Sequence, residues 1–329
     1  MAGRFSSALL YRIANYYYME RLSQSEIAEK ENISRSTVSR ALDQARDMGI
    51  VRIEVSLPAD SLATDLEEQL KETFGLKKVI VAPASVKESA NTTEEQLIAD
   101  VATVAAANLS EIVGDAEVIG VGWGRTVYNV TSHMTSHSKQ ICERTVVPLV
   151  GNMALRNSYL QTSINVSRFS EALGAQSLYL NISNLRDADV PYNAAEEANI
   201  KMIEDSWNKL DVAIFSLGPA PVNNFLYLQE ELVSEDFTEA DMSSAAMGEM
   251  LSQTIFNDGR PASPIGKKNT VIAFPLENLR NLKNAVLLAA CHYKAEPAYW
   301  AIRNGYCNTF ITDHLLAMDV LELARKYGK

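Results

Sequence analysis

Cysteine and histidine are scarce, with three cysteines (Cys142, Cys291 and Cys307) and four histidines in 329 residues. An odd and widely separated set of cysteines lacks the paired spacing of a zinc site or a disulfide framework, so a reducing, cytoplasmic setting is expected. His133 and His137 lie one helical turn apart without a carboxylate motif nearby and are read as surface residues. No metal site, no cofactor and no Ser/His/Asp constellation is predicted. Glycine (15) and proline (10) are too few for a disordered or fibrous chain. Long apolar runs are also missing: none reaches the ~18 residues of a membrane span, and the stretch from Met1 to Leu10 lacks the pattern of a signal peptide. Neither G-x-G-x-x-G nor G-x-x-x-x-G-K-[ST] occurs, which removes support for dinucleotide and Walker-type sites.

What is present is a globular composition, 47% hydrophobic and 22% charged, with room for two or three domains of ~100–200 residues. A net charge of −11 argues on average against nucleic acid, because phosphate contacts need clustered Lys and Arg. The charge is unevenly divided. From Met1 to Leu57 there are 8 basic residues against 7 acidic ones, and in the remainder 22 against 34. Arg35, Arg40 and Arg46 crowd one short stretch, whereas Glu26, Glu29 and Glu31 precede it.

Leu9, Leu10, Ile13, Ala14 and Tyr17 follow the spacing of an amphipathic helix over Phe5 to Met19. Ser23 and Glu26 form a capping-box pattern at the start of a second helix, Gln24 to about Glu31. Asn32-Ile33-Ser34 is a turn, and a third helix runs from Arg35 to Met48 before Gly49. Ile27, Ala28, Ile33, Val38 and Leu42 are the expected small core. Two short helices joined by a tight turn describe a helix-turn-helix, whose second helix enters the major groove N-terminus first. Arg35 and Arg40 suit guanine edges or phosphates, and Ser34, Ser36, Thr37, Ser39 and Gln24 suit base or backbone contacts. The competing reading is a helical subdomain with a solvated polar face. Ile50 to Val55 alternates as a strand and is read as a possible wing. Beyond it, Leu62, Leu66, Leu70 and Phe74 recur every four residues, a stripe that either packs on its own chain or dimerises.

From Lys78 onward, β-branched runs alternate with helical stretches, the pattern of a mainly parallel, doubly wound sheet whose ligands bind at the carboxyl ends of strands. Three loops at such ends are expected to converge at one sheet edge. The first is Gly120-Val121-Gly122-Trp123-Gly124-Arg125-Thr126, where Gly122 and Gly124 permit close backbone approach and Arg125 adds a cation suited to an anion. The second begins at Gly151-Asn152-Met153 and leads to a polar patch including Gln161; the third is Phe215-Ser216-Leu217-Gly218-Pro219. Gly248-Glu249 is read as beginning or interrupting a helix that ends near Asp258-Gly259, with Glu249 facing either solvent or a ligand. Val286 to Ala290 reads as a buried strand, followed by a loop in which Lys294 either pairs with an anionic ligand or lies on the surface.

Taken in order, Leu22 to Ala28 with Ser34 to Arg40, Ile119 to Gly124, Ala246 to Leu251 before Asp258-Gly259, and Lys294-Ala295 with Ile311-Thr312-Asp313 resemble the SorC-type family of sugar-responsive bacterial transcriptional regulators. The resemblance covers nearly the whole chain. It implies a C-terminal α/β domain related to sugar-phosphate isomerases and deaminases, an effector that is a phosphorylated sugar or polyol, and assembly as a homotetramer. Carried over by position, Glu249 would contact sugar hydroxyls, Lys294 would hold the ligand, and the loops at Gly122 and Gly151 would complete the pocket. Where the family commonly has Gly-Gly before the lysine loop this chain has Ala290-Cys291, and its loop at Gly151-Asn152-Met153 is less Gly-rich; both changes narrow the pocket.

The expected layout is a DNA-binding domain over 1–57, a linker helix over 58–76 with possible dimerisation, and an effector-binding α/β domain over 77–329. The expected partners are double-stranded operator DNA, a small sugar phosphate or polyol, and further copies of the chain. The alternative from another class is a sugar-phosphate isomerase in which Glu249 and Lys294 act as base and electrophile.

Overall fold

The computed structural model describes residues 5–51, 59–83, 92–134, 143–152, 161–184, 189–223, 237–266 and 271–328. Two compact units, Met1–Leu57 and Pro58–Lys329, are distinguished by their internal contacts. In the first, α1 (Ser7–Ala14), α2 (Gln24–Lys30) and α3 (Arg35–Asp47) enclose a core of Leu10, Ile13, Ile27, Val38, Ala41 and Leu42, with Ile33 partly buried beside it. The Ser23–Glu26 capping box is formed in both directions: the Ser23 amide donates to Glu26 Oε2 at 2.8 Å, and Ser23 Oγ accepts from the Glu26 amide at 3.3 Å. Tyr17 departs from the expected apolar face. The chain widens into a π turn over Asn15–Met19, closed by the Glu20 amide donating to the Asn15 carbonyl. The extra residue in that turn changes the helical phase, so Tyr16 and Tyr18 pack on the core while Tyr17 is 37% exposed. Ile50 and Val51 pack against the same core; the rest of the expected wing lies outside the described residues.

The second unit opens with α4 (Ala59–Phe74), whose Leu66 and Leu70 are buried, with Leu62 and Phe74 packed beside them, in this unit's own core. Next come β1 (Lys78–Ala82), α5 (Glu94–Val113), β2 (Val118–Val121), α6 (Arg125–His133), β3 (Thr145–Pro148), α7 (Thr162–Leu173), β4 (Gln176–Ser177), α8 (Ala194–Trp207) and β5 (Val212–Phe215). These are followed by β6 (Gly218–Pro219), β7 (Ala246–Met250), β8 (Gln253–Phe256), β9 (Ser263–Pro264), α9 (Leu276–Leu279), β10 (Asn284–Ala289), α10 (Ala295–Arg303), β11 (Thr309–Asp313) and α11 (His314–Tyr327).

Seven strands form a sheet in the order β1-β11-β10-β5-β2-β3-β4, and every neighbouring pair is parallel. Strands buried on both faces carry apolar residues at successive positions. Val212 and Ile214 belong to one core with Val286, Leu288 and the apolar face of α5, whereas Ala213 and Phe215 belong to the other with Leu287, Ala289 and α4. By length and composition α5 could cross a bilayer, yet its Val101, Ala102, Ala105 and Leu109 are fully buried in the core between helix and sheet. After β2 the chain winds outward through β3 and β4, then returns to place β5 on the other side of β2. The switch in winding therefore falls between β2 and β5, where such sheets open a crevice at their carboxyl ends.

A second, antiparallel sheet, β6-β7-β8-β9, contains the segment that the sequence pattern assigns to a helix at Gly248-Glu249. It is a hairpin instead. Leu251 (φ 52°) and Ser252 (φ 59°) form a two-residue turn with both residues left-handed, the geometry that matches strand twist. Gly248 lies so close to its neighbours that a Cβ there would sit 2.4 Å from Pro297 Cβ and 2.8 Å from the Gly218 carbonyl oxygen. Gly248→Ala is expected to destabilise the protein by about 1–3 kcal/mol, measured by chemical denaturation.

Candidate functional site

In the helix-turn-helix unit, Ser34 caps α3: its Oγ accepts from the Thr37 amide at 3.2 Å and lies 2.8 Å from both Ser36 Oγ and Thr37 Oγ1. Arg35, Ser36 and Arg40 are exposed, and Thr37, Ser39 and Gln24 are half-buried. Arg40 lies back along the helix, its Nε donating to the Ser36 carbonyl at 3.4 Å. Arg12 pairs with Glu31 at 2.8 Å, and that hydrogen bond holds the Glu31 carboxyl below its usual range. The acid nearest the turn is thereby neutralised, while the start of α3 keeps two exposed arginines.

In the α/β unit, the loops after β2, β5 and β10 surround a cavity of about 830 Å³. Gly124 and Arg125 enter from the first, Ser216 to Gly218 from the second and Lys294 from the third, with Glu249 contributed by β7. Lys294 is 5% exposed, and its Nζ donates to Thr126 Oγ1 at 3.1 Å and Ser216 Oγ at 3.2 Å. Burial lowers its pKa from 10.5 to about 8, with Arg125 pushing in the same direction and Cys291, Glu249 and Asp313 opposing. Of the two positions open for this residue, surface or pocket, it takes the second. Glu249 is 4% exposed, and its Oε1 accepts the Ser252 amide of the hairpin turn at 2.7 Å. Arg125 donates to Glu94 Oε2 at 3.0 Å and to the Tyr293 hydroxyl at 2.9 Å. Among the described residues, three cations, Lys294, Arg125 and Lys326, line the cavity against five carboxylates.

Gly218 also lines this cavity, whereas Gly122, Gly151, Asn152 and Gln161 do not. Gly122 packs beneath it: a Cβ there would lie 2.9 Å from Leu251 Cδ2. Gly151 is pressed against the backbone of Ile182 and Asn184, and Asn152 Oδ1 accepts the Ser163 amide in the first turn of α7, which Gln161 precedes as N-cap. The rest of that loop, Met153 to Leu160, lies outside the described residues, as do Cys142 and His137. His133 is exposed, and Cys291 and Cys307 are buried free thiols. Among the described residues, no cluster of three or more His, Cys, Asp or Glu side chains is placed to hold a metal.

Sequence reasoning passed over Thr126 and Ser216, the hydroxyls that hold Lys294, and over Glu94 and Tyr293. Thr126 and Ser216 stood inside the loops already singled out; only the pairing across 168 and 78 residues was hidden. Cys291 lies at φ 82°, a backbone region that costs a side chain of order 1–3 kcal/mol. Its amide donates to Asp313 Oδ2 at 2.8 Å, and Asp313 Oδ1 accepts the Leu316 amide at the start of α11. One buried carboxylate thus fixes the loop that carries Lys294.

The family model described as "Putative sugar-binding domain" matches residues 61–322, and a winged helix-turn-helix DNA-binding model matches residues 20–52. The chain belongs to this sugar-binding domain family, in the helix-turn-helix-plus-sugar-binding arrangement of the SorC-type regulators. Over 311 residues it is 28% identical to the deoxyribonucleoside regulator of Bacillus subtilis, covering 94% of this chain and 96% of that one. It is 26% identical to the sorbitol operon regulator of Klebsiella pneumoniae, covering 95% and 98%. The crystal structure of the full-length sorbitol operon regulator SorC from Klebsiella pneumoniae superposes with a TM-score of 0.66 at 24% identity, over 95% of this chain and 98% of that one.

The unfolded chain keeps its Lys294 proton up to about pH 10.5, whereas the folded protein releases it near pH 8. Folding therefore costs most below pH 8, and stability attributable to this group rises as pH climbs from 8 towards 10.5. Lys294→Met is expected to be more stable than the parent at pH 7 by about 1–3 kcal/mol. Urea denaturation at pH 7 and pH 9.5 should show that advantage shrinking at the higher pH.

Proposed function

We propose that the protein is a DNA-binding transcriptional regulator whose operator affinity is set by a phosphorylated sugar or polyol bound in the Lys294 cavity. The observation that carries this reading is the buried lysine amine at the switch point of the parallel sheet, beside a buried carboxylate, Glu249. A cation enclosed by two hydroxyls offers donors to an anionic or polyhydroxyl ligand, and Glu249 offers an acceptor to sugar hydroxyls. In α3, Arg35 and Arg40 are the proposed contacts to guanine edges or phosphates, assisted by Gln24, Ser34, Ser36, Thr37 and Ser39. Gly124, Arg125 and Gly218 belong to the proposed effector site; Gly122, Gly151, Asn152 and Gln161 support it by shaping the β2 and β3 loops beside it.

The protein acts in the cytoplasm as a homo-oligomer, dimer or tetramer, since paired half-sites are read by paired helix-turn-helix units. The effector controls DNA binding by favouring one of two conformations, which requires unequal affinity for them. The isomerase alternative is set aside because it gives the helix-turn-helix unit no role, and curated relatives that match this chain nearly end to end are named as regulators.

Fluorescence anisotropy with the protein's own promoter DNA, at fixed salt and with a panel of sugar phosphates and polyols, tests the reading. Arg35→Ala and Arg40→Ala should each weaken specific binding about tenfold or more while circular dichroism stays that of the parent. One compound of the panel should change the parent's operator affinity; DNA binding that no compound alters would contradict effector control.

A further inference from the structure

The cavity holds a second cation that the protein keeps engaged from within. Arg125 Nη2 donates to both Glu94 Oε2, at 3.0 Å, and the Tyr293 hydroxyl, at 2.9 Å, and all three residues line the cavity. Among the described residues carboxylates outnumber cations in the lining, so their combined field does not draw an anion in and direct contact is the means of recognising one. Lys294 is already enclosed by Thr126 and Ser216. Arg125, with 35% of its side chain exposed, remains within reach and presents the planar fork that suits a phosphoryl group.

The Arg125–Glu94 pair is the obstacle to that contact. Its partners are 35% and 54% exposed, a setting in which ion pairs are weak and are screened by solvent. At equal distance a dianion gains twice the Coulomb attraction of a carboxylate, so a phosphoryl group can take the guanidinium from Glu94. A hydroxyl carries no charge with which to compete. We propose that Glu94 is an internal competitor for Arg125, held in register by Tyr293, and that this competition sets how strongly the cavity prefers phosphorylated ligands. The proposal deepens the effector reading given above and rests on it for its biological meaning.

Inorganic phosphate is the probe, titrated into the full-length parent, Glu94→Gln, Arg125→Gln and the double variant by calorimetry at constant ionic strength. Glu94→Gln is expected to bind phosphate about three- to tenfold more tightly than the parent. Arg125→Gln should bind it more weakly, and the double variant should lose the gain, which localises the effect to the pair. Opposite shifts in two variants cannot come from general loss of folding. Phosphate affinity unchanged or weakened in Glu94→Gln, or no phosphate binding by any of the four proteins, overturns the proposal. If Glu94→Gln tightens phosphate binding while the parent's operator binding ignores every sugar compound, the competition stands and the effector reading falls.

Discussion

A protonated amine shut away from water is expensive, and the α/β unit is built around making one tolerable. Lys294 is held by hydroxyls from two different loops, Thr126 at the start of α6 and Ser216 after β5. Each of these depends on a strand in the middle of the parallel sheet. The loop that carries the lysine depends on Asp313, which accepts the Cys291 amide on one oxygen and caps α11 with the other. Loss of packing in any of β2, β5, β10 or β11 would therefore be felt at this amine. The stability given up to bury it is the feature on which the proposed effector site rests.

The small antiparallel sheet completes the site from the other side. Its hairpin turn places two residues at positive φ, which brings the Ser252 amide onto Glu249 and keeps that carboxylate buried at the cavity wall. Close approach at Gly248 allows β7 to lie against Gly218 and Pro297. Acid and amine thus come from separate layers of the unit, and a ligand that touches both bridges the parallel sheet and the hairpin. A change in the distance between those layers is a physical route by which occupancy can favour one conformation over another.

Much of this was legible in the residues. Ser23 and Glu26 announce a capping box because its chemistry is local, and the strand-helix alternation after Lys78 announces a parallel sheet because both faces of its strands are buried. The segment around Glu249 reads as a helix because Met247, Met250 and Leu251 fit a helical face, and only the close approach at Gly248 and the Leu251–Ser252 turn decide for a hairpin. Tyr17 leaves the apolar face because of a single π turn that no spacing rule foresees. Glu94 and Tyr293 were invisible as site residues, since their meeting at Arg125 joins segments 31 and 168 residues apart.

Effector control requires that the Lys294 cavity and the helix-turn-helix be thermodynamically coupled, and coupling is reciprocal. The most direct test is the affinity of the operator-shifting sugar compound for the full-length protein, measured by calorimetry with and without saturating operator DNA. Reciprocal coupling predicts that DNA changes the compound's Kd by the same factor as the compound changes the Kd for DNA. An affinity for the compound that is identical in the free and DNA-bound protein would contradict it.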